Sequence, residues 1–125
     1  MKKVEREPGG LAETLTGTTT NDYVTILEWS CIGIGKKTII IENTDGANTL
    51  TLKVFVRGYP NGSDYPEILY YDEEDAAQYE RDLDPADLQR LRLNNAYAEI
   101  VVQAKSTVAD THATYQVDYA GAVSG

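Results

Sequence analysis

The sequence predicts an all-β fold, a β-sandwich of the jelly-roll type, on three observations. Apolar and polar residues alternate in several short runs, which is the pattern of half-buried strands. Clusters rich in Gly, Pro, Asn and Asp separate these runs at spacings of about 8 to 12 residues. No long segment carries apolar residues at helical spacing. The 125 residues suffice for one domain, so we expect an N-terminal arm over residues 1–22 and a single sandwich domain over 23–125.

The first 22 residues are predicted to form an extended arm. They contain Pro-Gly-Gly at residues 8–10 and a threonine-rich run, with few large apolar side chains. Because such a segment has no core of its own, we expect residues 1 to about 20 to be disordered in isolation and to become ordered against a neighbouring chain. Lys2, Lys3 and Arg6 are then the predicted partner contacts, pairing with acids on that chain.

In the first half of the domain, residues 23–29 and 37–42 are predicted strands, since both are rich in β-branched or aromatic residues. The three consecutive isoleucines at 39–41 suggest that the second of these strands is covered on both faces. The turn cluster at 43–48 contains Asp-Gly and predicts a hairpin. It leads into a strand at 50–57 with clear alternation of apolar and polar residues.

The second half begins with a predicted loop and a long acidic insert. Between Asp64 and Asp87 there are ten acids and one base, Arg81. Within that insert, the sequence Asp-Pro-Ala-Asp at 84–87 predicts one helical turn near residues 85–90. Alternation then predicts strands at 97–105 and 113–119, joined by a hairpin loop at 106–111.

Charge and composition restrict the classes of partner. A net charge of -9 opposes binding to a phosphate backbone, so nucleic acid is not expected as a partner. The longest apolar run is three isoleucines, far too short for a membrane span, and no secretory signal is present at the start. We therefore expect a soluble protein in the compartment where it is made. One cysteine excludes an internal disulfide.

Candidate chemical sites each have a plainer interpretation that we favour. His112 lies two residues after Asp110 and could act as a base, but we favour a loop histidine without a catalytic role. Cys31 could act as a nucleophile, but we favour a small buried apolar residue. The acids at 72–75 could bind calcium but lack the EF-hand order, so a solvated loop is favoured. Tyrosines near the insert could form a carbohydrate platform, although packing or subunit contact is favoured; they are Tyr59, Tyr65, Tyr70, Tyr71 and Tyr79. The sequence thus predicts no enzymatic activity, no cofactor and no metal.

Two stretches carry a family resemblance. Residues 37–50, KTIIIENTDGANTL, and residues 98–109, AEIVVQAKSTVA, resemble small β-sandwich structural proteins of tailed phages and archaeal tailed viruses. In those proteins a strand, an Asn-Thr-x-Gly-Ala-Asn turn and a late Lys-Ser-Thr turn recur. The resemblance implies a virion structural protein made in the host cytoplasm. A capsid decoration or cement protein is the first expectation and a tail component the second, with a carbohydrate- or ligand-binding module as the alternative from another class.

The expected partners are other protein chains. Exposed strand edges and many tyrosines favour a closed homo-oligomer, with a trimer as the expected form. The resemblance implies the major capsid protein or another virion protein as the second partner. We expect the acidic stretch at 64–87 to lie at the outer surface of a particle, because burying unpaired carboxylates is costly.

Overall fold

The computed structural model describes residues 2–4 and 11–123 and confirms the all-β prediction. Within those residues every regular element is a β-strand. The strands are β1 (Lys2–Val4), β2 (Leu11–Thr18), β3 (Val24–Ser30), β4 (Ile34–Asn43), β5 (Leu50–Arg57), β6 (Tyr65–Pro66), β7 (Tyr70–Tyr71), β8 (Ala77–Gln78), β9 (Glu80–Leu83), β10 (Leu88–Leu93), β11 (Glu99–Ser106) and β12 (Thr114–Val123).

The strands form two facing sheets and one small hairpin. The first sheet has the order β1-β3-β11-β5-β6, with β9 also paired to β5, and the second has the order β10-β4-β12-β2. All pairs are antiparallel except β1 with β3. Leaving out the short β1 and β6 to β8, successive strands alternate between the two sheets except for β5 and β9, which pair within the first sheet. This is the jelly-roll arrangement, as predicted.

The core lies between the sheets and follows the predicted alternation. The first sheet contributes fully buried side chains from β5 and β11, and the second contributes them from β4 and β12. The ring of Trp29 meets that of Tyr119 across the core, with centroids 5.3 Å apart. In β4, however, Ile39 and Ile41 are buried while Ile40 is half-buried on the other face. The prediction of a strand fully covered on both faces is therefore wrong.

Both predicted hairpins are wrong as well. The turn at 43–48 leads from β4 in the second sheet to β5 in the first, and the turn at 106–111 leads from β11 back to β12 in the second sheet. The turn residues do reverse the chain, but the strands before and after each turn lie in opposite sheets, on either side of the core. Asn43 fixes the first of these corners, because its Nδ2 donates to the carbonyls of Asn48 and Leu83, each at 2.8 Å.

The predicted helical turn at 85–90 is a tight β-turn. The N–H of Asp87 donates to the carbonyl of Asp84 at 2.9 Å, and β10 begins at the next residue. Pro85 occupies the second position of the turn, and Ala86 in the third position has a φ of 68°. Proline followed by a positive φ is the signature of a type II turn, not of a helix.

The structure also differs from the predicted N-terminal arm. Residues Leu11–Thr18 form β2, which pairs with β12 over eight consecutive positions without a register shift. This strand belongs to the sandwich, so the domain begins well before residue 23. Lys2 and Lys3 lie in β1, whose main chain is in register with Leu27 and Glu28 of β3. The third predicted contact, Arg6, lies outside the described residues.

Candidate functional site

The two ends of the sandwich differ in chemistry. At one end, which we call the polar end, the connections span residues 19–23, 44–49, 84–87 and 107–113. At the opposite end, the open end, the connections span residues 31–33, 58–64 and 94–98. The polar end is closed by hydrogen bonds between loops, whereas the open end contains a cleft. The open end is therefore the candidate functional site.

The polar end contains the only histidine of the chain, and its role there is structural. His112 Nδ1 lies 2.7 Å from Ser106 Oγ, which in turn lies 2.8 Å from Thr19 Oγ1. Ser106 is buried, so its hydroxyl is closed to substrates. Asp110 does not approach the imidazole but accepts a hydrogen bond from Asn21 Nδ2 at 2.9 Å. These bonds tie the loops of this end together.

The open end contains a cleft of about 700 Å³. It is lined by all three connections of this end, through Ile32, Gly33, Ile34, Gly35, Gly58, Tyr59, Pro60, Asn94, Ala96, Tyr97 and Ala98. Most of these side chains are apolar or aromatic. At the rim, Ile32 and Tyr59 are 50% and 65% exposed. A concave apolar surface with exposed large side chains is typical of a binding site.

One wall of the cleft is fixed by Lys37, a buried lysine of β4 that is only 1% exposed. Its Nζ donates to the carbonyls of Ile34 and Asn95, each at 2.8 Å, and to that of Gly35 at 3.3 Å. Two of these carbonyls lie at the start of β4, directly after the 31–33 connection, and the third lies in the 94–98 connection. Burial lowers the pKa of the Lys37 ammonium. The lysine acts as a bridge between the 31–35 and 94–98 segments.

The other wall is fixed by Glu99, the first residue of β11, which is 2% exposed. Its Oε1 accepts a hydrogen bond from the N–H of Asn61 at 2.7 Å and another from Arg57 Nη1 at 3.2 Å. Arg57 also donates through Nε to Asp64 at 2.6 Å, and these bonds raise the pKa of its guanidinium. The 58–64 connection is thereby tied to the sheet at its middle and at its last residue. Hydrogen bonds thus hold the segments on both sides of the cleft in the unbound chain, and in this sense the cleft is preformed.

Cys31 lies buried behind the cleft. Its Sγ donates to the carbonyl of Tyr97 at 3.3 Å. Burial raises the pKa of the thiol to about 11, so the group is neutral at pH 7. A neutral, buried thiol is a weak nucleophile. This agrees with the interpretation of Cys31 as a small apolar residue.

The acidic insert is ordered as four short strands, β6 to β9, rather than as one long loop. Six of its ten acids are tied to the chain's own groups, through Asp64–Arg57, Asp72–Gln78, Glu80–Lys53, Asp82–Thr51, Asp84–Thr49 and Asp87–Arg81. The turn at 72–75 joins β7 to β8, and Asp72 accepts the N–H groups of Glu74 and Ala76. Among residues 2–4 and 11–123, no group of three or more His, Cys, Asp or Glu is arranged to hold a metal ion.

The five tyrosines near the insert all lie at the surface. Their exposed fractions run from 42% for Tyr70 to 65% for Tyr59. Only Tyr59 lines the cleft. The other four follow the short strands along the side of the first sheet, which gives this part of the molecule an aromatic surface of the kind enriched in protein interfaces.

Lys37 and Glu99 were both missed by the sequence analysis. Lys37 has the same alternation phase as Ile39 and Ile41, so strict alternation would have placed it in the core. Glu99 has the opposite phase from Ile100 and Val102 on β11, and no sequence pattern shows that the 58–64 connection covers it.

In the described part of the chain, no helix is long and apolar enough to cross a membrane.

Comparisons with known proteins show the fold. No protein-family model and no curated protein sequence matches the chain. Among solved structures, a subunit of the disulfide-linked pili of Bacillus endospore appendages is similar, with 11% identity, a TM-score of 0.51, and 95% of this chain and 93% of that chain covered. The Yersinia pseudotuberculosis-derived mitogen matches with 15% identity and a TM-score of 0.52, over 91% of this chain and 86% of that chain.

A prophage-derived protein, YomS, is also among the matches. It has 10% identity and a TM-score of 0.48, with 87% of this chain and 95% of that chain covered. At such a score the likeness carries no argument about function. The comparisons thus confirm an all-β sandwich that occurs in proteins of many roles.

Proposed function

We propose that this chain is a structural protein of a virus particle, and in the first place a capsid decoration or cement protein. It binds the major capsid protein through protein–protein contacts and assembles with further copies of itself. A tail component is the second viral placement. The observation that supports the proposal is the preformed apolar cleft at the open end, because a cleft whose walls are already fixed loses little entropy when it binds.

The proposed occupant of the cleft is an apolar side chain on a basic segment of the partner protein. The lining of Ile32, Tyr59, Pro60 and Tyr97 offers aliphatic and aromatic contact, which suits an anchoring side chain. The chain's net charge of -9 favours approach by a positively charged surface. A partner with basic residues around an apolar anchor satisfies both features.

The acidic turn at 72–75 is proposed to face solvent on the particle. Glu73, Glu74 and Asp75 are exposed, and seating them in an interface would bury carboxylates without partners. Replacing Asp72, Glu73, Glu74 and Asp75 together by Asn or Gln should leave particle binding unchanged within a few tenths of a kcal/mol. Loss of binding by this variant, or release of the native protein by a chelator, would contradict the placement.

Electron microscopy tests the particle assignment. Antibodies against the purified chain, coupled to gold, should label particles in preparations from the source. If the protein is abundant in that source and no particle is labelled, the proposal is wrong. Labelling of the shell or of the tail distinguishes the two viral placements.

A pair of variants tests the docking site. Ile32→Asp places a charge on the rim of the cleft and should weaken binding to the particle by about tenfold or more, as for a buried apolar anchor. Val108→Asp is the control, because Val108 lies at the polar end and is 60% exposed, compared with 50% for Ile32. Equal binding by both variants would exclude the cleft as the contact.

The cleft also supports a second candidate function, carbohydrate binding. Tyr59 and Tyr97 offer rings on which a sugar can stack, and Asn94 offers an amide beside them. A glycan array separates the two functions. Selective glycan binding that is lost in Tyr59→Ala, without any labelled particle, would favour the carbohydrate-binding module.

A further inference from the structure

We propose that the outer edge of β2 pairs with the same strand of a second copy, antiparallel and about a two-fold axis, so that the second sheets of both copies join into one. Among the residues that the structure describes, no strand pairs with this edge. The proposal concerns self-association and does not depend on which partner fills the cleft.

The direction of the main-chain groups in β2 follows from the ladder with β12. The N–H of Thr19 donates to the carbonyl of Ala113 at 2.9 Å, which marks a hydrogen-bonded pair in the same register as the β2–β12 pairs. Hydrogen-bonded and non-hydrogen-bonded pairs alternate along an antiparallel ladder. Every second residue of β2 therefore points its N–H and C=O groups away from β12. These residues are Ala12, Thr14, Thr16 and Thr18.

The four residues whose main-chain groups point away from β12 can pair with those of a second copy about a two-fold axis at Leu15. If Leu15 of each copy lies on the axis, Thr14 faces Thr16 of the second copy, and Ala12 faces Thr18 of the second copy. Each of these residues then both donates and accepts across the edge. Leu15 is only partly buried against the core, and its counterpart would cover it. An apolar pair flanked by threonine pairs is a favourable cross-strand arrangement.

The other long or exposed edges are less suited to this contact. β10 carries exposed Arg90 and Arg92, which would repel their own counterparts across a two-fold axis. β1 has three residues, and β6 has two, one of them Pro66. By contrast β2 has eight residues in an unbroken register. It is the edge that offers the longest regular row of main-chain groups.

Charge also favours β2 as the place where two copies meet. Each copy has a net charge of -9, so a contact between copies must avoid the acids. The exposed side chains of β2 are alanine and threonine. Its one acid, Glu13, accepts a hydrogen bond from Tyr119 in the core at 2.7 Å. On the neighbouring strand, Asp118 accepts a hydrogen bond from Thr14 at 2.6 Å.

The test uses proline to remove one outward N–H without touching the β2–β12 ladder. Thr16→Pro should leave the fold intact, since proline is tolerated at a strand edge, while Thr16→Val keeps the N–H and serves as the control. In sedimentation equilibrium, the native chain and Thr16→Val should reach twice the 13.8 kDa monomer mass. Thr16→Pro should dissociate about tenfold more readily or remain monomeric. Added salt should strengthen the native dimer by screening the repulsion.

Hydrogen exchange of the native chain gives a second measurement, which holds even if Thr16→Pro fails to fold. The amides of Thr14 and Thr16 should become protected only as the protein concentration rises, whereas the amide of Gly17 should be protected throughout. A native chain that stays monomeric at about 1 mM overturns the proposal. So does a trimer, the form expected from the sequence, or a dimer that Thr16→Pro leaves unchanged.

Discussion

Replacing Lys37 by methionine tests whether a buried ammonium holds the open end together. The variant removes two hydrogen bonds of 2.8 Å and one of 3.3 Å, all to main-chain carbonyls that remain in place. A hydrogen bond to a charged group contributes about 1.5–3 kcal/mol. The buried methionine recovers about 1.5–3 kcal/mol of transfer free energy. The two short bonds together contribute about 3–6 kcal/mol, and the long one is weak enough to leave out. Since the methionine offsets about half of this loss, we expect Lys37→Met to lower the free energy of unfolding by about 2 kcal/mol.

Urea denaturation followed by tryptophan fluorescence measures this change, because Trp29 is buried in the core. With a slope of about 2 kcal/mol per molar urea for a domain of this size, the midpoint should fall by about 1 M. Lys36→Met is the control, since the neighbouring lysine is exposed and its replacement should shift the midpoint only slightly. A Lys37→Met variant as stable as the native chain would show that desolvation of the ammonium outweighs its three bonds.

At Gly121, a Cβ atom would lie 2.6 Å from Cγ2 of Ile34. Gly121→Ala should therefore lower the free energy of unfolding, measured by urea denaturation, by about 1–3 kcal/mol. An unshifted urea midpoint would refute this. The Cys31 thiol, with its pKa raised to about 11, should react with iodoacetamide at pH 8 only after unfolding; rapid labelling of the folded chain would contradict its burial. The pKa of Tyr119 is raised by burial and by its bond to Glu13, so its contribution to stability is full below about pH 10 and is lost as the pH rises further. Between pH 9 and 11 the unfolding free energy of Tyr119→Phe should therefore fall less steeply than that of the native chain, as followed by urea midpoints.

The strands of the core could be predicted from the sequence because the residues on one face of each are apolar and alternate with more polar ones. In β5, Leu50, Leu52 and Val54 are buried as their alternation indicated, and Ile100 and Val102 of β11 are buried in the same way. The sheet to which each strand belongs could not be predicted. Turn residues specify that the chain reverses, but a hairpin and a corner across the core use the same residues.

The remaining differences come from contacts between distant parts of the chain. The strand β2 has few apolar residues, since an edge strand gains most of its stability from main-chain hydrogen bonds to β12. Ala86 adopts a positive φ because the β9–β10 corner requires it, although its sequence favours a helical turn. Glu99 is buried only because the 58–64 connection folds over it. None of these effects leaves a local pattern in the sequence.

The position of β12 affects how the chain folds during synthesis. β12 is the last of the described strands, yet it lies between β4 and β2 and pairs with both. Until β12 has been made, β2 therefore has no neighbour and β4 can pair only with β10, so main-chain groups of both strands stay available to other chains. Ladders between residues so far apart in sequence also form slowly. The second sheet closes only after translation has passed Val123, so the last element that this sheet needs is also the last of the described strands to be made.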